Sequence, residues 1–367
     1  MSIEKLNLTN FRNITDVSVT LHPKLNVVYG SNASGKTSLL EAFYFISTGR
    51  SFRSRRIENI ITRHNSSTEF VLFGTLKDFS SIYSAHNVGI KKSTVLPTQI
   101  RLNKEAVKSA SQLAKLSPII LIDPLSFDLL NGAPTQRRQF LDWGVFHVEP
   151  LFSKNWNNYI NCLKQRNSLL RNAKIDQISL KIWDTKLSEL GELIHIERSE
   201  YFDKFQKRLA HYLSFFSINK DIKVSYYKGW DKTKKLNEAL EQFKDRDIER
   251  RFTQAGPHRA DIKVSIYGQA ASESLSRGQQ KLFIFAMYLA QMQTLFDVFK
   301  KNTVVLIDDV TAELDDTNLE LVFNKLLALD AQVIVTVLNN SLLDRLQRDN
   351  TAYKMFHVEH GNITAIE

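Results

Sequence analysis

From Val27 to Ile46 the chain reads VVYGSNASGKTSLLEAFYFI: an aliphatic run, a glycine-bounded loop, and an amphipathic run of helical period. The pattern Gly30-x-x-x-x-Gly35-Lys36-Thr37 inside it constrains the fold more than any other feature. Its glycines let the backbone curl until successive N–H groups and the N-terminus of the next helix face one anionic point. Gly30, Ser31, Asn32, Ala33, Ser34, Gly35, Lys36 and Thr37 are therefore expected to cradle a nucleotide's phosphates. Lys36 would reach the β- and γ-phosphates, and the Thr37 hydroxyl would ligate Mg²⁺.

Such a loop needs an acidic residue at the end of a second aliphatic strand. VVLIDD supplies Asp308 after the run Val304–Ile307, and Asp309 stands where a general base could orient the attacking water. An aspartate there is one methylene shorter than a glutamate, so slow hydrolysis is expected. A third piece, LSRGQQK from Leu275 to Lys281, opens a long apolar run and closely resembles the signature motif of ABC-type ATPases. Ser276 sits at a natural N-cap, and with Gly278 it offers a second anion cradle. In that superfamily the signature of one subunit faces the γ-phosphate held by another. This resemblance gives Ser276, Arg277, Gly278 and Gln279 a role in trans, and makes Asp315 of AELDD part of the D-loop that crosses such an interface.

The P-loop and Asp308 lie near opposite ends of the chain, and the middle differs in character from both. Trp156, Tyr159, Leu163 and Leu170, then Leu180, Trp183, Leu187, Leu190 and Ile194, recur at helical spacing around the polar reversal RNAKIDQIS. The spacing predicts a helical hairpin, either a short antiparallel coiled-coil arm or two helices of a compact lobe. The ends alternate strand and helix. The predicted plan is α/β: an ABC-type ATPase head split in sequence (1–112 and 254–367) around an inserted helical lobe or arm (113–253).

Lysine and arginine exceed acidic residues, 49 against 39, for a net charge of +10. That surplus favours a polyanionic partner, nucleic acid before an anionic membrane surface. Arg50, Arg53, Arg55 and Arg56 crowd GRSFRSRR and are the candidate DNA contacts. The rival cluster is Lys154, Lys164, Arg166, Arg171 and Lys174. The single cysteine, Cys162, excludes an intramolecular disulfide framework. The longest apolar run, Leu282–Ala290, is far short of the roughly 20 residues of a membrane span. The N-terminal MSIEKLNLTN lacks the apolar stretch of a signal peptide. A cytoplasmic protein is expected.

A helical insertion between P-loop and signature is the plan of the SMC-like ATPases. Within them the chain resembles the RecF recombination-mediator family along essentially its whole length. The resemblance is carried by LNLTNFRN, GSNASGKTSLLEAFYFISTGRSFRS, NGAPTQRRQFLD, GPHRADI, LSRGQQK and LIDDVTAELD. It implies a homodimerising ATPase of weak turnover, using ATP and Mg²⁺, that binds duplex DNA and gapped duplex–single-strand junctions. It implies action with RecR and RecO mediators to help load the RecA recombinase, and it adds Arg12 of LNLTNFRN to the ATP-binding residues. Two family features are not found. QVIVTVLNN lacks the usual switch histidine, leaving the γ-phosphate to Thr336, to Asn339, or to neither, and no Q-loop glutamine can be placed. His258 and Arg259 of GPHR either report on the nucleotide or build a turn. The competing readings are a transporter's energy-coupling subunit, against which the insertion, the missing histidine and the basic surplus all count, and an ATP-clamped scaffold that hardly turns over.

Overall fold

A computed structural model describes residues 1–62, 67–77, 85–107, 109–218, 221–300, 302–309, 314–338 and 352–366, without the side chain of Phe299. The chain forms two compact units, residues 1–126 with 300–367 and residues 127–299. The first unit takes β1 (Ser2–Phe11), β2 (Ile14–Thr20), β3 (Leu25–Tyr29), β4 (Glu69–Lys77), β5 (Ala85–Ser93), β6 (Gln99–Leu102), β7 (Glu105–Ala106) and β8 (Ile119–Ile122) from its N-terminal segment. The second holds β9 (Ile222–Tyr227), β10 (Asp261–Ile266) and β11 (Gln269–Ala270). The C-terminal segment returns β12 (Val304–Ile307), β13 (Gln332–Val337), β14 (Tyr353–Glu359) and β15 (Asn362–Ile366) to the first.

In the first unit one sheet has the order β15-β14-β3-β13-β12-β8, parallel throughout except for β15. The aliphatic runs Val304–Ile307 and Gln332–Val337 are buried at every position, as expected of parallel strands covered on both faces. The other sheet, β2-β1-β4-β5-β6-β7, is antiparallel. The Lys36–Thr48 helix is buried at Leu39, Leu40, Phe43, Phe45 and Ile46, and shares one core with both sheets. Phe11, Phe45 and Phe70 meet edge to face there, with centroids 5.2–6.0 Å apart. The buried Gln332 amide ties the sheets together: it bonds both the N–H and the C=O of Ile3, at 2.8 and 2.9 Å.

The Gln177–Phe215 helix is the spine of the second unit. Asp176 caps its start by accepting from the Ile178 N–H. The predicted hairpin forms, with Phe152–Leu169 as its first helix. Leu187, Ile194, Tyr201, Phe205 and Leu209 continue the buried seam well beyond the hairpin, because the spine also packs on the Pro134–Val148, Leu236–Arg250 and Arg277–Phe299 helices. Most of its length therefore lies in a lobe. At Gly191 an added Cβ would fall 2.2 Å from Leu236, which explains a glycine inside so long a helix.

The units divide at 126/127 and 299/300, where the sequence reading sets 112/113 and 253/254. Pairing accounts for both shifts. β8 is an edge strand of the first unit, and β10 pairs with β9, which holds the GPHR turn and the signature helix in the second.

Candidate active site

The phosphate loop joins β3 to the Lys36–Thr48 helix through left-handed backbone at Gly30 (φ 156°), Ala33 (φ 63°) and Gly35 (φ 121°). No side chain caps the helix N-terminus. The Lys36 ammonium donates to the carbonyls of Gly30 and Ser31 at 2.6 and 2.9 Å. Burial lowers its pKa, while Asp309 and Asp308 pull it upward. The loop opens on a cleft of about 560 Å³, within the size range of small-molecule sites.

Parallel register brings the acidic residues to this cleft. β12 ends beside β13, and the Thr37 hydroxyl lies 3.0 and 3.2 Å from the two Asp308 carboxylate oxygens. This all-oxygen pair, a hydroxyl and a carboxylate, is the donor chemistry that suits Mg²⁺. Thr336, on β13, donates to Asp308 at 2.8 Å and accepts from the Asp309 N–H at 2.7 Å. Its hydroxyl is thus committed to holding the two aspartates in place. Asn339 lies outside the described residues. Asp309 adopts φ 53°, which turns the chain sharply at the strand's end.

Two residues at this site carry signals that sequence reasoning passed over. Asp123 closes β8, the strand next to β12, and burial raises its pKa against hydrogen bonds from Ser126, with Asp308 adding to the rise. Glu41, in the second turn of the P-loop helix, is fully buried and takes a bidentate pair from Arg12 at 2.7 and 2.8 Å. Arg53 also reaches Glu41, at 3.7 Å, and lines the cleft with Arg12. Arg53 thus has a contact at the cleft, and like Arg50, Arg55 and Arg56 it is exposed. A glutamate on an otherwise apolar helix face, facing a basic cluster downstream, is the clue to this arrangement.

In the second unit, Ser276, Arg277, Gly278 and Gln279 are exposed. Ser276 Oγ accepts from the Gln279 N–H at 3.3 Å, and the Gln279 side chain accepts from the Ser276 N–H at 3.0 Å. That is a capping box, legible in the spacing Ser-x-x-Gln. Asp315 likewise caps the Asp316–Ala328 helix through the Asn318 N–H, a bond that lowers its pKa; residues 312 and 313 of the D-loop stretch lie outside the described residues.

One expectation changes, and one open alternative narrows. Arg166 is fully buried, held by Asp184 at 2.5 Å and Asp247 at 2.7 Å, so it leaves the surface cluster. His258 is half-buried in its turn: Tyr159 bonds its Nδ1 at 2.7 Å and the Thr253 carbonyl its Nε2 at 3.1 Å. Desolvation pushes its pKa down to about 4, so the ring is neutral and structural.

Fold and site together define an ABC-type ATPase head of the SMC-like class, with a lobe inserted between P-loop and signature. The model of the RecF/RecN/SMC N-terminal domain family matches residues 2–364. The chain belongs to the RecF family of DNA replication and repair proteins. It is 40% identical to the DNA replication and repair protein RecF of Pseudomonas aeruginosa, over 99% of this chain and 98% of the relative. It is 38% identical to that of Shewanella baltica over the full length of both. A solved structure of the recombination mediator RecF with ATP, from the RecFOR pathway, superposes with a TM-score of 0.85 at 24% identity, covering 100% of this chain and 98% of the other. An Smc head domain bound to the C-terminal winged-helix domain of ScpA matches at a TM-score of 0.60 and 15% identity, covering 100% and 97%. Among the described residues no helix is long and apolar enough to cross a membrane.

Proposed function

We propose that this chain is an ATP-dependent DNA-binding protein of recombinational repair and replication-fork maintenance. It binds duplex and gapped DNA as an ATP-closed homodimer, hydrolyses ATP slowly, and helps load recombinase with RecR- and RecO-type mediators. The observation that carries the reading is the convergence of Thr37, Asp308, Asp309 and Thr336 beside Lys36 at the ends of adjacent parallel strands.

Each residue then has a task. The loop N–H groups and Lys36 bind the phosphates, and Thr37 with Asp308 would hold Mg²⁺, which supplies charge neutralisation there. Asp309, kept in place by Thr336, orients water, and its short side chain keeps turnover low. Gly278 supports closure in trans. A Cβ there would meet nothing within 4 Å, so no contact within the described chain calls for a glycine at this exposed helix start, and its bare backbone leaves room for a phosphate. Arg50, Arg53, Arg55 and Arg56 are the DNA contacts, reading backbone rather than bases.

Fluorescence anisotropy with a gapped duplex, across a salt series with and without Mg-ATP, tests this. Tighter and salt-sensitive binding with ATP is expected. Equal binding in both states would leave an ATP-independent DNA binder, and no binding in either would remove DNA as the partner.

A further inference from the structure

We infer that Asn13 and Gly361 are positioning residues for the phosphate loop: both bond the Ser34 carbonyl and so aim the Gly35 N–H at the nucleotide. The inference rests on the ATP reading above. Two donors converge on that one oxygen, Asn13 Nδ2 at 3.0 Å and the Gly361 N–H at 2.9 Å. The Ser34–Gly35 peptide is trans and planar, so its C=O and N–H point in opposite directions. Holding the carbonyl outward with two bonds therefore holds the Gly35 N–H inward, and Gly35 lines the cleft.

The donors come from two turns at opposite ends of the chain. Asn13 lies in the tight turn between β1 and β2. Gly361 lies in the turn between β14 and β15, where His360 (φ 49°) and Gly361 (φ 82°) are both left-handed, as a type I′ hairpin requires. β14 runs parallel to β3, with His357 opposite Tyr29 and the rings stacked at 4.8 Å, so the hairpin turn arrives level with the loop.

Glycines make these contacts close. An added Cβ would lie 2.7 Å from Asn13 Nδ2 at Gly35, 2.3 Å from the Val358 carbonyl at Gly30, and 2.1 Å from the Asn13 carbonyl at Gly361. The two motif glycines thus serve the back of the loop as well as the front. The β14–β15 hairpin thus supports the phosphate loop from residues that do not line the cleft.

The test is titration of the full-length protein with a fluorescent ATP analogue and Mg²⁺, alongside thermal midpoints without nucleotide. Asn13→Ala is expected to weaken ATP binding about three- to tenfold, the scale of one lost hydrogen bond. Asn13→Asp, which sets a carboxylate against the Ser34 carbonyl, should weaken it further. Gly361→Ala should act like Asn13→Ala, and the double variant should fall short of the product of the two losses, because both act through one oxygen. KM should rise more than kcat falls. Wild-type affinity in Asn13→Ala and Gly361→Ala, while Lys36→Ala abolishes binding, would overturn the inference and leave the ATP reading standing. So would an affinity loss in Gly361→Ala, where the added Cβ also strains the turn, without one in Asn13→Ala or Asn13→Asp. If the wild type itself bound no ATP, both would fall.

Discussion

The two units use the same residue types for opposite ends. In the first, Lys36, Arg12, Arg53 and the aspartates that follow β12, Asp308 and Asp309, line one cleft that is open to solvent. In the second, Arg166 and Arg198 are fully buried and matched to carboxylates, Arg166 to Asp184 and Asp247, Arg198 to Asp142. His258 is closed between Tyr159 and Thr253. A fully buried charge tied to carboxylates is closed to a ligand from solvent, whereas a rim charge can exchange one partner for another. Access, more than residue type, therefore separates structural from functional polar groups here.

That contrast is sharpest at Arg166. Arg166→Ala strands the fully buried Asp247 carboxylate, and breaking such a pair costs about 3–5 kcal/mol. A large fall in thermal midpoint is expected, with no change in the salt slope of DNA binding. A changed slope in a folded variant would return Arg166 to the DNA surface.

Acid should act on the second unit next. His258 has a folded pKa of about 4, below its unfolded value of about 6.5, so the fold favours the neutral ring. Its contribution is complete above pH 6.5 and is lost as pH falls through 6.5 toward 4, roughly 3 kcal/mol in all. Melting curves at several pH values should show this, and His258→Gln should flatten that part of the dependence. An unchanged profile would contradict the half-buried neutral histidine.

The smallest effects belong to exposed arginines of the first unit. Replacing Arg55 or Arg56 with glutamine should leave stability within about 0.5 kcal/mol. Each true phosphate contact removed should lower the salt slope of DNA binding by about one unit. Stability loss without slope change would invert the comparison.

Much of this was legible in the chain. The P-loop, the Val304–Ile307 strand with its aspartates and the signature helix were readable because each couples a periodicity to a fixed motif, and the Arg277 helix start falls within a residue of expectation. The capping box was spelled out at Ser276 and Gln279. The final hairpin went unread: its strands are short, half polar and at a sheet edge, although His360-Gly361 between two alternating runs carries the turn signal. Arg166 was misread because periodicity places a residue on a face without revealing that two distant carboxylates wait there. Thr336 was a candidate from the sequence, but its bonds to both aspartates, and the place of Asp123 beside Asp308, come from strand order, which a linear sequence does not display.

The central claim is a nucleotide shared between the P-loop of one copy and the signature of another. The direct measurement mixes two variants inactive by themselves, Lys36→Ala and Ser276→Arg, and follows ATP hydrolysis. Each mixed dimer then holds one composite site with both halves intact. Partial recovery of turnover on mixing is the predicted result. Activity that stays at the level of the separate variants, while each still folds and Ser276→Arg still binds ATP, would contradict the shared site.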